Sequence, residues 1–148
     1  MKRPPILVVI FLITVIVAAS QRPDPESTAP ETAHNPPLAQ TESEKRILTT
    51  MNEAVRAGEL YANVPVADGR MLRLLVEAAN AKNVIEIGTS TGISGMWLCM
   101  ALEKTEGKLT TLELDSHRAV LARVHFKRAG VDHLVAIIEG DAHKDITN

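Results

Sequence analysis

Two acids, Glu86 and Glu113, each close a short apolar run, and a Gly/Ser/Thr loop follows the first of them. The run Val84-Ile85-Glu86-Ile87 breaks into Gly88-Thr89-Ser90-Thr91-Gly92 and resumes at Ile93-Ser94 in a helical pattern. Glycine permits backbone geometry and close approach that other residues resist, and a helix start offers N–H groups without intrahelical partners. A strand, a turn and a helix start in this order can therefore hold a cofactor. Thr111-Leu112-Glu113-Leu114-Asp115 then ends a second strand with an acid, where a parallel α/β fold grips a ribose; one carboxylate can take two hydroxyls through its two oxygens. An acid inside an apolar strand is costly unless it is used. Glu86 thus either faces a cationic ligand group or serves the loop as a cap or lysine partner. Gly88 and Gly92 bring backbone close to a ligand, make a tight strand-to-helix turn, or do both.

Positioning these residues requires alternating strands and helices, and the rest of the chain supplies them. Thr41-Glu42-Ser43-Glu44 has capping-box spacing and leads into a helix carrying Ile47, Leu48, Met51 and Val55. A second helix is expected from Val66–Asp68 to about Ala81, with Met71, Leu72, Leu75 and Ala79 on the face toward the sheet. Strands follow over residues 83–87, 109–114 and 134–139, separated by helices over 93–103 and 116–129, with Ser116 as a cap and Gly130 as a stop. The pattern predicts an α/β fold: a partial Rossmann-like, doubly wound parallel sheet in strand order 3-2-1, with helices preceding it.

With 148 residues, 45% of them hydrophobic, the chain has the size and composition of one globular domain. A formal net charge of −2 gives no electrostatic reason for a nucleic-acid partner. The single cysteine, Cys99, cannot form an internal disulfide and reads as a small buried hydrophobe. Lys2 and Arg3 precede an apolar run from Ile6 to Ala19, the pattern of a signal peptide over residues 1–20, cleaved after Ala19 or Ser20. The run is short for a bilayer span, yet an uncleaved anchor tethering the chain to a membrane through residues 6–19 is the competing reading. Residues 21–40, with five prolines and hardly any large apolar side chain, read as an extended linker before a domain over 41–148. His117, His125 and His133 read as exposed helix or turn residues, and His34 lies in the linker.

The motifs Glu86-Ile87-Gly88-Thr89-Ser90-Thr91-Gly92-Ile93-Ser94, Glu113 and Gly140-Asp141-Ala142, with Asn63 to Leu72 upstream, resemble the class I S-adenosylmethionine-dependent methyltransferases. Within that class they are most similar to the catechol/caffeoyl-CoA O-methyltransferase-like family. The resemblance implies methylation of a hydroxyl on a small, catechol-like molecule with S-adenosylmethionine as donor. It implies cofactor contacts from the Val64 backbone, Glu86, Gly88, Thr89, Ser94, Glu113, Asp141 and Ala142. Glu86 and Ser94 would serve the methionine end, Glu113 the ribose, and Asp141 and Ala142 the adenine. Ile93 departs from the tyrosine frequent at that place in the family.

The family also implies a divalent ion, magnesium or calcium, whose ligands follow later strands and match no residue here; His143 and Asp145 lack a third partner. The family's complete sheet has seven strands and this chain carries three, so an N-terminal fragment with no assignable catalytic residue is expected. A truncated, non-catalytic product is therefore an alternative reading. An NAD-binding oxidoreductase is another, disfavoured because Gly88, Gly92 and Gly95 do not make the dinucleotide glycine spacing. Homo-oligomerisation stays open. A secreted, periplasmic or membrane-anchored location conflicts with a donor made in the cytosol.

Overall fold

Thr41 caps the first helix of the described residues. In a computed structural model, which describes residues 39–59 and 61–145, helix α1 (Glu42–Arg56) begins with Glu44 N–H donating to Thr41 Oγ1 at 3.0 Å. The returning half of the expected box is shifted by one residue, since the Glu44 carboxylate accepts from Gln40 N–H at 2.7 Å rather than from Thr41. The expected leader over residues 1–20 and almost all of the linker lie outside the described residues.

The remaining elements alternate as expected: α2 (Val66–Ala78), β1 (Asn83–Ile87), α3 (Ile93–Thr105), β2 (Lys108–Glu113), α4 (Ser116–Ala129), a 3₁₀ turn (Asp132–Leu134), β3 (Val135–Glu139) and α5 (Ala142–Asp145). The three strands form one parallel sheet in the order β1-β2-β3, which is the 3-2-1 arrangement. Register sets Glu86 beside Thr111 and Glu113 beside Glu139, so the acid-bearing strand ends lie along one edge.

Helix α3 is apolar nearly all round and buried nearly all round, which marks it as the centre of the core rather than a surface helix. Met96, Met100 and Leu102 of α3 join Ile47 and Met51 of α1, Leu109 of β2 and Phe126 of α4 in one cluster. Cys99 lies within it, fully buried, and burial pushes its thiol up, as do the charges of Glu86 and Glu103. An ion network around the buried Glu44 ties the first three helices together. Arg73 Nη2 meets Glu44 at 2.5 Å and its Nε meets Glu77 at 2.7 Å, while Lys104 reaches Glu77 at 3.2 Å.

Helix α2 departs from its expected orientation. Gly69 and Val76 are its buried positions and they pack on α3, whereas Met71 and Leu75 are 55% and 46% exposed. The cause is a close approach: a Cβ on Gly69 would lie 2.2 Å from the Trp97 indole, so only glycine lets the backbone settle there. Seating Gly69 on Trp97 fixes the helix rotation and turns Val66, Met71, Leu74 and Leu75 outward. Val55 of α1, one of the apolar residues that the helix carries, is 48% exposed. Helix α4 is capped one residue earlier than expected. Asp115 Oδ1 accepts from His117 and Arg118 N–H at 2.9 and 3.1 Å, and Gly130 ends the helix in the left-handed region at φ 77°.

Candidate functional site

Alternation along β1 buries Val84 and Glu86 on the same side, so the acid sits on the core side of the strand, 6% exposed. A carboxylate there must be hydrogen-bonded. Glu86 Oε1 accepts from Ser94 Oγ at 2.6 Å, and Oε2 accepts from Thr111 Oγ1 at 2.7 Å. Thr89 Oγ1 lies 2.7 Å from Thr111 Oγ1. With Thr111 donating to an ionised Glu86, Thr89 donates to Thr111, and a hydroxyl chain ends on the acid. Burial pushes the Glu86 carboxyl up from 4.5 to about 7; the Ser94 and Thr111 hydroxyls pull it back, and the Glu113 charge adds to the rise. Glu86 is therefore poised to gain or lose a proton near neutrality.

Glu113, at the end of β2, is equally buried and differently held. Its Oε2 accepts from Ser90 N–H in the turn at 2.7 Å and its Oε1 from Asp115 N–H at 3.0 Å. Each carboxylate oxygen has a second lone pair, so this arrangement fixes the group and leaves capacity for further donors. The turn itself is anchored on β2, with Gly88 and Thr89 N–H both donating to Leu112 O, at 2.8 and 3.1 Å. Gly88 has φ 90°, and a Cβ there would meet nothing within 4 Å. Gly92 has φ 87° and begins α3 with no side-chain cap, but a Cβ there would come within 3.0 Å of Phe126 Cζ. Of the two glycines expected to admit a ligand, only Gly88 leaves space.

A cleft of about 270 Å³ opens beside Glu86. Val64, Met71 and Leu72 wall one side of it, Ile87, Ser94 and Leu98 the other, and Asp68 adds a second acid. Val64, Glu86 and Ser94, singled out in the sequence, thus share one cavity. Thr89 lies beneath the turn, its side chain fully buried in the hydroxyl chain. At the third strand end, Gly140 N–H donates to Glu113 O at 2.9 Å. Asp141 Oδ1 accepts from His143 N–H at 3.0 Å, and Ala142 is the first residue of α5. Among the described residues no three His, Cys, Asp or Glu side chains converge to hold a metal ion, so the divalent ion implied by the resemblance has no donor set there.

The sequence reading missed His125. It is 2% exposed, not exposed as expected, with Nδ1 2.7 Å from Thr91 O and Nε2 2.8 Å from Glu59 Oε2. The signal was present in the spacing, since Ala122, His125 and Ala129 follow the three-four rhythm of the buried face of α4.

The chain is similar to known proteins. A family model described as O-methyltransferase matches residues 39–148. The chain belongs to that O-methyltransferase family. A catechol O-methyltransferase of Niastella koreensis is 38% identical over 96 residues, covering 65% of this chain and 43% of the relative. The tapetum-specific methyltransferase 1 of Arabidopsis thaliana is 38% identical over 102 residues, 67% of this chain and 43% of that one. The chain thus spans under half the length of these relatives. Among solved structures, an O-methyltransferase from Bacillus cereus in complex with SAH superimposes with a TM-score of 0.61 at 29% identity, covering 70% of this chain and 46% of that one. TomG from Streptomyces achromogenes, an O-methyltransferase in complex with SAM, gives 0.60 at 28% identity over 74% and 47%. Over the matched stretch, the two solved structures share the fold of this chain.

Proposed function

We propose that this chain binds S-adenosylmethionine along the carboxyl edge of its sheet and forms the cofactor-holding part of an O-methyltransferase for a hydroxyl of a small, catechol-like molecule. The observation that carries the reading is the pair of buried acids, Glu86 and Glu113, at the ends of neighbouring strands on either side of a turn left open at Gly88. Family membership and the ligands named for the Bacillus and Streptomyces structures support the choice of donor.

In this reading an ionised Glu86 complements the fixed positive charge of the methionine ammonium. The Val64 backbone and the uncapped start of α3 favour the carboxylate, toward which Ser94 would turn its hydroxyl from Glu86. Glu113, already held by Ser90 and Asp115, takes the ribose hydroxyls, and Asp141 with Ala142 borders the adenine. When bound, held by Glu86, Ser94 and Glu113, the donor would supply an electrophilic methyl on a sulfonium for transfer to the acceptor oxygen. The apolar walls of the cleft, Val64, Met71, Leu72 and Leu98, suit an aromatic acceptor better than a charged one.

Calorimetric titration of the chain with S-adenosylmethionine, with NAD as comparison, tests the reading. Selective binding of the methyl donor is expected, abolished by Glu113→Ala. A folded chain that binds neither ligand, or that prefers NAD, would sink it.

A further inference from the structure

The loop after β1 is stapled to the stretch between α1 and α2 by a cluster that the cofactor reading does not use. Thr91 Oγ1 donates to Glu59 O at 3.1 Å and approaches Asn63 Oδ1 at 3.3 Å, while Ser90 Oγ donates to Tyr61 O. Beneath them His125 of α4 joins both partners, with one ring nitrogen on Thr91 O and the other on the Glu59 carboxylate. Arg118, two turns earlier on α4, lies over the Tyr61 ring at 5.2 Å. The same stretch continues into Val64 and thus into the cleft wall beside Glu86.

The two contacts of His125 impose a count of protons. A backbone carbonyl only accepts, so Nδ1 carries hydrogen; an ionised carboxylate only accepts, so Nε2 must carry one as well. The pair therefore keeps both bonds only as imidazolium with carboxylate, or as neutral imidazole with a protonated Glu59. Removing that proton leaves Nε2 facing Glu59 Oε2 with two lone pairs opposed, and one bond is lost. Around α4, Glu53 of α1 pairs with Arg128 at 3.3 Å, Glu139 of β3 pairs with Arg123 at 2.9 Å, Glu113 of β2 is held by the Ser90 amide, and the Arg46 guanidinium of α1 lies by Gly130 at the far end of the helix. The loop itself contributes only hydroxyls, and α3 meets α4 through Gly92 and Gly95 against Phe126.

We propose that His125 is a positioning residue, a proton-dependent staple that with Glu59 holds the 61–64 stretch against the cofactor loop and so shapes the mouth of the cleft. Its bearing on cofactor affinity rests on the reading above; its bearing on loop order does not. With a single hydrogen on the ring, Glu59 is freed and the turn loosens.

Glu59→Gln separates this from plain packing. A glutamine amide can donate to a neutral Nε2, so that variant keeps both bonds without the extra proton. The test is amide hydrogen exchange by NMR on the full chain, from pH 5.5 to 9 and corrected for intrinsic rates. It is read at Glu59, Ser90 and Gly92, whose N–H groups donate to Ala54 O, the Glu113 carboxylate and Thr89 O. Wild type should lose protection on the order of tenfold as pH rises, as expected for one charge-assisted hydrogen bond. Glu59→Gln should stay flat, and His125→Phe should be unprotected throughout. A flat wild-type profile, or a Glu59→Gln profile that falls like the wild type, overturns the staple. Titration of the same samples with S-adenosylhomocysteine should show affinity following protection. No binding at any pH, with the exchange pattern intact, would overturn the cofactor reading and leave the staple standing.

Discussion

The turn between β1 and α3 has two unlike sides. Toward α4 it is filled: Gly92 abuts Phe126, and the hydroxyl and carbonyl of Thr91 are taken by Glu59, Asn63 and His125. Toward the strand ends it is open, with free space over Gly88 and the carboxylates of Glu86 and Glu113 nearby. Both glycines hold the same left-handed backbone, at φ 87° and 90°, so conformation alone does not tell them apart. The surroundings do. One glycine lets a helix and an aromatic ring meet, while the other keeps a volume empty beside two buried acids.

Substitutions on the two sides should therefore fail in different ways. Gly92→Val combines a left-handed backbone disfavoured for a branched side chain with a Cβ driven into Phe126, for a cost of about 3 kcal/mol or more. Thermal unfolding followed by circular dichroism should register a drop well above 10 °C, at roughly 4–8 °C per kcal/mol for a domain of this size. Equal losses for Gly92→Val and Gly88→Val would erase the contrast.

Glu86 gives a pH signature on the open side. Its folded carboxyl is raised from 4.5 to about 7, so the folded state binds the extra proton between those values. Stability should fall as pH rises from about 4.5 through 7, by about 3 kcal/mol at most, and level off above. Denaturant titrations across that range should show the slope in wild type and its absence in Glu86→Gln. Because a bound ammonium favours the ionised acid, donor affinity should rise over the same interval and do so only in wild type.

Glu113→Ala should cost about 1–3 kcal/mol by stranding the Ser90 and Asp115 N–H groups, a loss that chemical denaturation would measure. Gly88→Ala closes the series. Space is available, so only the backbone preference of about 1–2 kcal/mol opposes it, and calorimetry should find ligand affinity hurt more than stability.

How much of this was legible in the chain depended on how local each signal is. Strand β1 falls on the residues its apolar pattern marks, and Gly130 stops α4 because only a residue tolerant of φ 77° fits there. Glu86, Ser94 and Val64, which the family resemblance singles out, line one cleft. The rotation of α2 was not legible, because it is set by Gly69 against Trp97, a contact between two elements that no periodicity within either one encodes. His125 was passed over because a polar residue with Arg123 and Lys127 two positions to either side reads as surface, and its partner Glu59 lies 66 residues away. Gly92 looked like Gly88 because the identity of the residue filling the space, Phe126, belongs to a different helix.

The seat of α2 on α3 also gives the molecule an optical gauge. Trp97 is the chain's single tryptophan, 2% exposed and pressed beneath Gly69, one residue from Asp68 at the cleft. Its fluorescence should be that of an indole in dry surroundings, red-shifting once α2 lifts and water reaches the ring. Comparing that emission with the circular dichroism of the helices would reveal whether the cleft wall loosens ahead of the sheet, without any label being attached.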